Sequence, residues 1–258
     1  MSDGGGAHQY DEVFYKYQRE GSLRSARKVL PVIHDALSVS SVLDVGCGAG
    51  AWLRAHRECG VSDCVGVDGD YVDRAVLLID HDRFLPRDIT HSFELGRRFD
   101  LVQCLEVAEH VPRSCSETLV DNITRHGPHV LFSAAVPGQG GEDHINEQSY
   151  SYWRDLFASR GYRLFDFVRP RIASFHEIEF WYRYNILFFA HESAIDGLPP
   201  AVQSTRIANN AGVPDLSPWA YRTRKLLLRP LPVSVVSRLA RWKHKQVIRT
   251  MSNAAYPR

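Results

Sequence analysis

The run Val42-Leu43-Asp44-Val45-Gly46-Cys47-Gly48-Ala49-Gly50 constrains this chain more than any other stretch. A short apolar segment leads straight into three alternating glycines, and a segment of helical length, residues 50–60, follows. Glycine lets the backbone turn sharply and approach a ligand closely, which suits the carboxyl edge of a parallel sheet. Further apolar runs recur at 63–68, 83–89, 99–105 and 129–135, with segments of helical length such as 114–126 among them. That alternation predicts βαβ units and a doubly wound, mostly parallel α/β sheet covered on both faces. A helix over 149–160, a strand near 162–168 and an aromatic run ending in a strand near 182–190 complete seven strands. The last two would form a closing hairpin.

The flanks differ from this body. Residues 8–39 read as helical, with a break at Gly21-Ser22 that could cap a second helix. Residues 191–220 are rich in Pro, Asn, Ser and Gly and read as a linker, and 221–249 are basic and helical in parts, broken by Pro230 and Pro232. The chain therefore divides into an N-terminal helical segment covering the site (1–39), the main domain (40–190), and a linker with a basic C-terminal extension (191–258).

Composition excludes several classes. No run approaches the roughly 20 apolar residues of a membrane span, and the first residues lack the basic start and apolar core of a signal peptide. The five cysteines form no CxxC pair, and Cys47, Cys64 and Cys104 fall in or beside predicted buried strands. Reduced thiols in a cytoplasmic protein are expected. The net charge of +1 hides a split: from Leu216 onward there are ten Lys and Arg and no acid, so the first 215 residues carry −9. A body that acidic is a poor nucleic-acid platform. The tail is expected to be dispensable for chemistry, either docked on the acidic body or in peripheral contact with an anionic membrane.

Two acids beyond the glycines narrow the ligand. Asp68 ends the second strand, where a carboxylate can accept both ribose hydroxyls. Asp88 and Ile89 end the third, where an acid can take an exocyclic adenine amine while its apolar neighbour packs on the ring. A dinucleotide fingerprint would place its third glycine three residues after the second; here the interval is two. VLDVGCGAG, then GVDGD, then RDI resembles the class I S-adenosylmethionine-dependent methyltransferases over roughly residues 40–190. The resemblance implies the Rossmann-like methyltransferase fold, with Asp44, Gly46 and Gly48 at the methionine part of S-adenosyl-L-methionine. It places Asp68 at the ribose, and Asp88 and Ile89 at the adenine.

The acceptor belongs at the same sheet edge, where the fourth strand ends in Glu106-Val107-Ala108-Glu109-His110 and the loop 137–148 brings His144 and Glu147. Two carboxylates and two imidazoles, Glu106, Glu109, His110 and His144, suit a divalent ion with open positions, Mg²⁺ or Mn²⁺. The spacing resembles metal-assisted O-methyltransferases that act on small-RNA 3′ ends or on catechols. With an ion bound, Glu147 or an unligated histidine remains a candidate base; a metal-free alternative uses His110 or His144 as general base, and a structural role for these residues is the third reading. YQREGSLRSARKVLP at 17–31, SAAVPGQGG at 133–141, HINEQ at 144–148 and WYRYN at 181–185 resemble bacterial methyltransferases of glycan and secondary-metabolite gene sets. That likeness implies O-methylation of a small molecule, a sugar or glycosylated metabolite. Gln139, Asn146 and Gln148 could then read hydroxyls, and Trp153, Trp181 and Tyr182 stack on a sugar face or pack in the core.

Overall fold

The computed structural model describes residues 5–232, 234–242 and 246, with side chains from Arg19 onward. Its centre is one sheet of order β3-β2-β1-β4-β5-β7-β6-β8. β1 (Ser41–Val45), β2 (Asp63–Asp68), β3 (Phe84–Pro86), β4 (Leu101–Leu105) and β5 (His129–Ser133) run parallel. β7 (Leu187–His191) pairs antiparallel with both β5 and β6 (Tyr162–Phe165). The seven expected strands are present, and β8 (Arg206–Ile207) adds an eighth on β6. The stretch read as a linker from 191 therefore begins as part of the fold: a 3-10 turn (Glu192–Gly197), α7 (Pro200–Gln203) and then β8.

Helices cover both faces. α1 (Gly5–His34), α2 (Ala51–Glu58), α5 (Val168–Ile172) and α6 (Phe180–Asn185) lie on one side; α3 (Ser116–His126) and α4 (Tyr150–Ala158) lie on the other. In α1 the fully buried Ala26, Val29, Leu30 and Ile33 recur at helical spacing and meet Trp52, Leu53 and Ala55 of α2. Tyr150, Trp153 and Phe157 do the same for α4, which Ser149 caps by accepting from the Tyr152 N–H at 3.2 Å. Each fully buried Val, Leu, Ile or Phe side chain among them contributes about 1.5–3 kcal/mol. Cys64 and Cys104 are buried in β2 and β4 as free thiols, and Cys47 is buried just beyond β1. No helix among the described residues is long and apolar enough to cross a membrane.

The expected break at Gly21-Ser22 is absent, and α1 runs through it. Glycine is there for closeness: a Cβ on Gly21 would sit 2.7 Å from Glu179 Oε1. Ser22 spends its hydroxyl on the Tyr182 hydroxyl, 3.0 Å away, rather than on a cap. The aromatic run 180–185 is a helical turn, and its strand begins only at Leu187. β3 stops at Pro86, two residues short of Asp88.

Candidate functional site

β1, β2, β4 and β5 all end on one edge of the sheet, and the candidate site lies there. Gly46, Gly48 and Gly50 adopt φ of 81°, 51° and 80°, a left-handed backbone that other residues rarely take. A Cβ on Gly46 would press to 2.5 Å from Val107 Cγ2, whereas one on Gly48 would meet nothing within 4 Å. The loop is thus tight behind and open in front.

Asp68, 6% exposed, holds this loop: the Gly48 N–H donates to Oδ2 at 2.7 Å. Its Oδ1 accepts from the Gly69 N–H at 2.7 Å and from the Tyr71 hydroxyl at 2.6 Å. Tyr71, which sequence reasoning did not single out, thus puts a hydroxyl on the carboxylate expected to receive a ribose. Asp44 is buried, and burial pushes its carboxyl up to about 7. The Gln103 amide lies beside it, although the amide nitrogen completes no hydrogen bond of ordinary geometry. Behind Gln103 a chain runs from the buried His56, Nε2 to Gln103 Oε1 at 3.1 Å, out to the half-buried His34, Nε2 to His56 Nδ1 at 3.1 Å. Burial pushes His56 down to about 3. A neutral His56 that donates to the Gln103 carbonyl must accept from His34, which fixes both tautomers. Asp88 is exposed and accepts from the Thr90 N–H and hydroxyl at 2.9 and 2.6 Å, which hold its carboxyl below the usual range. Ile89 packs half-buried against the core.

At the acceptor edge Glu106 leaves β4 with φ 56°, its N–H donating to the Ser133 carbonyl at 3.0 Å. Its Oε1 accepts from Asn185 Nδ2 at 3.2 Å. Glu109 is fully buried, and neither carboxylate oxygen has a hydrogen-bond partner of ordinary geometry. Burial and the Glu106 charge push its carboxyl well above the usual carboxylate range. The Glu109 carbonyl in turn accepts from the N–H groups of Ile145 and Asn146 at 2.9 and 3.0 Å, docking the loop onto this turn. His110 and His144 thereby meet edge-on, their centroids 5.0 Å apart. Burial and the His144 charge lower the His110 pKa.

Ligand atoms of Glu109, His110 and His144 all lie within 4.8 Å of one another. His110 Nδ1 is 3.3 Å from the Asp143 carbonyl and His144 Nδ1 is 3.0 Å from Glu147 Oε1, which leaves each Nε2 for a ligand. An orphaned carboxylate beside two oriented imidazoles fits a divalent ion. Glu106, expected as a fourth ligand, is outside that cluster and turned to Asn185. Glu147, expected as a base, instead accepts from the N–H groups of Gly138 and Gly140 at 2.8 and 2.7 Å. Both its oxygens are engaged, so it pins the loop and orients His144.

Other expected contacts are spent on structure. Gln139 Oε1 accepts from Asn185 at 3.0 Å, and Asn146 donates to the Ala108 carbonyl and Ser116 at 3.1 and 3.0 Å, from which Gln148 is hung. Trp153 and Tyr182 are core, on opposite faces of the sheet, and Trp181 packs half-buried beside Tyr182. Asn185 was missed because its place depends on topology: the antiparallel β7 starts at the carboxyl edge of β5, so the residues before it land at the site. Over the loop lies α8 (Trp219–Leu228), Arg224 donating to the Gln139 carbonyl at 2.8 Å. A 540 Å³ groove lined by Arg98, Arg160 and His191 sits at the opposite, amino edge and includes none of these residues.

A family model described as a methyltransferase domain matches residues 15–166. The chain is similar to the ubiquinone biosynthesis O-methyltransferase of Proteus mirabilis (strain HI4320), 32% identical over 112 residues. That alignment covers 38% of this chain and 43% of that protein, so the chain spans less than half of its curated relative. Among solved structures it resembles the sugar N-methyltransferase KedS8 from Streptoalloteichus sp ATCC 53650, with 18% identity and a TM-score of 0.53 over 70% of this chain and 92% of that one. The magnesium protoporphyrin IX methyltransferase (ChlM) of Synechocystis PCC 6803, solved with bound S-adenosylmethionine, matches at 15% identity and a TM-score of 0.46, over 74% and 86%. At 18% identity the likeness to KedS8 reports the fold alone.

Proposed function

The chain belongs to the methyltransferase-domain family, and from that premise we propose that it is an S-adenosylmethionine-dependent methyltransferase that methylates a hydroxyl of a small sugar-like polyol. The observation that carries the choice of oxygen is the Glu109, His110 and His144 cluster at the carboxyl edge shared with the glycine loop. A neutral alcohol is a poor nucleophile and must lose its proton as attack begins. A divalent ion, when bound there, supplies a charge that lowers the pKa of a coordinated hydroxyl. Where no ion is bound, the solvent-facing His110, its pKa lowered by burial and by His144, has its Nε2 lone pair free to accept that proton; with an ion bound, that lone pair is the ligand. Glu147 and Asp143 hold the two rings in place.

In this reading Asp44, Gly46 and Gly48 meet the methionine part of the methyl donor, Asp68 the ribose, and Asp88 and Ile89 the adenine. For the last contact, Asp88 exchanges a Thr90 or His91 bond for the adenine amine. The N-terminal half of α1 covers this edge, a role supported by the Arg19 contact with the Val76 carbonyl at 3.4 Å. The likeness to an enzyme named as an O-methyltransferase supports oxygen as the acceptor atom, and the fold is one that serves a sugar substrate in KedS8. A catechol-type hydroxyl is the second reading, favoured by the identity to the ubiquinone-biosynthesis enzyme. RNA ends fit poorly beside a body of net charge −9.

The test is methyl transfer from labelled S-adenosylmethionine to panels of glycosides and catechols, before and after chelation, with Mg²⁺ or Mn²⁺ restored. Glycoside product that falls on chelation, and falls about 10²-fold or more in Glu109→Ala and His144→Ala, is expected. Undiminished turnover by metal-free protein would leave His110 as base without an ion. Label entering only amines would overturn the hydroxyl reading.

A further inference from the structure

α8 presents its faces the wrong way round for a helix that only packs on its own protein. Tyr221, Lys225 and Leu228 point inward at spacings of four and three. Lys225, 6% exposed, is ion-paired with Asp215, and the Tyr221 ring meets Phe180 at 5.1 Å. The outward stripe is Trp219, Arg222, Leu226 and Leu227, with Trp219 80%, Leu226 67% and Leu227 69% exposed. A soluble helix buries its leucines and shows its lysines. Further along, Leu239 and Trp242 are also exposed. Large apolar side chains gathered on one exposed face of a helix mark a contact surface.

We propose that this outward face docks on an anionic lipid bilayer. Charge selects the partner: the 43 residues from Leu216 to the end hold ten Lys and Arg and no acid, while the rest of the chain carries −9. Anionic headgroups attract the arginines, and the boundary below them takes Trp and Leu, so one occupant satisfies both chemistries. Nucleic acid would use the arginines and leave Leu226 and Leu227 in water. The inner face of the helix meanwhile lies on the loop that carries His144. A Cβ on Gly138 would stand 2.1 Å from the Lys225 carbonyl, so helix and loop are in backbone contact. The bilayer and the acceptor loop are thus opposite sides of one helix. This inference does not depend on which acceptor is methylated.

The experiment is co-sedimentation of the full chain with phosphatidylglycerol–phosphatidylcholine vesicles and with phosphatidylcholine alone, at low and high salt. Binding to the anionic vesicles only, weakened by salt and accompanied by a blue shift of tryptophan fluorescence, is expected. A triple variant, Trp219→Ala with Leu226→Ser and Leu227→Ser, leaves the charge intact and should partition at least about tenfold more weakly. Its affinity for S-adenosylhomocysteine should be unchanged, which shows that it is folded. Failure of the wild type to bind anionic vesicles at low salt would overturn the proposal. So would a triple variant that binds vesicles as well as the wild type, or one that loses single-stranded RNA binding in parallel.

Discussion

Asp68 answers two demands with one carboxylate. It fixes the glycine loop through the Gly48 N–H, and it offers Oδ1 to a ligand while Tyr71 occupies that oxygen. Asp68→Ala removes charge-assisted bonds of both kinds. Affinity for S-adenosylmethionine is expected to fall by about 1.5–3 kcal/mol in a calorimetric titration. Equal affinity in variant and wild type would remove Asp68 from the ribose. Tyr71 makes the opposite prediction. Its hydroxyl must leave Oδ1, or share it, when a ribose arrives, so Tyr71→Phe should bind cofactor more tightly by about 0.5–1.5 kcal/mol. Weaker binding of Tyr71→Phe would mean that the hydroxyl helps hold the ligand instead of competing with it. Neither effect was legible in the sequence for Tyr71. Two residues separate it from Asp68, and only the turn at Gly69 folds its ring back over the carboxylate; a Cβ there would lie 2.1 Å from Tyr71 Cε1.

At the scale of elements, the acceptor loop is held from two sides, by Glu147 within and by α8 above. That arrangement speaks against a tail dispensable for chemistry. Gly138, at φ 82°, lies against the α8 backbone, so Gly138→Ala combines a strained backbone with a clash against the Lys225 carbonyl. A loss of about 1–3 kcal/mol in stability is expected, with faster proteolysis between Asp215 and Leu228 and lower turnover. Retained turnover after α8 is freed would return the tail to a purely peripheral role. The strands and most helices could be read ahead because apolar runs and helical spacing are local signals. The joining of His110 to His144 was foreseen as a shared edge but not as a mechanism. It rests on the Glu109 carbonyl accepting from Ile145 and Asn146, a backbone contact that no side-chain pattern announces. Gly21 misled for a related reason: a glycine that permits close packing against Glu179 looks in sequence like one that ends a helix.

Across the whole molecule, two buried groups of opposite charge type set how folding responds to pH. His56 is pushed down to about 3 by burial, from an ordinary value of about 6.5. As pH falls from about 6.5 to about 3, the unfolded chain takes up a proton that the folded one refuses, and stability is lost. Asp44 is pushed up to about 7, from an ordinary value of about 3.9. As pH rises from about 3.9 to about 7, the unfolded chain releases a proton that the folded one keeps, and stability is again lost. The two windows overlap and their slopes oppose, each by up to about 1.4 kcal/mol per pH unit. Between about pH 4 and 6.5 they nearly cancel in the intact protein. Separating them is the sharpest check, because each variant should bend the profile in a different direction from the wild type. His56→Leu removes the histidine term, so its stability in urea titrations should fall relative to wild type as pH rises through this window. It also leaves His34 and the Gln103 carbonyl without a partner, lowering stability by about 1–3 kcal/mol throughout. Asp44→Asn removes the opposite term, and its stability should climb relative to wild type over the same range. Parallel profiles for wild type and both variants would mean that neither group is held away from its ordinary pKa, and that the chain from His34 to Asp44 is not sealed from water.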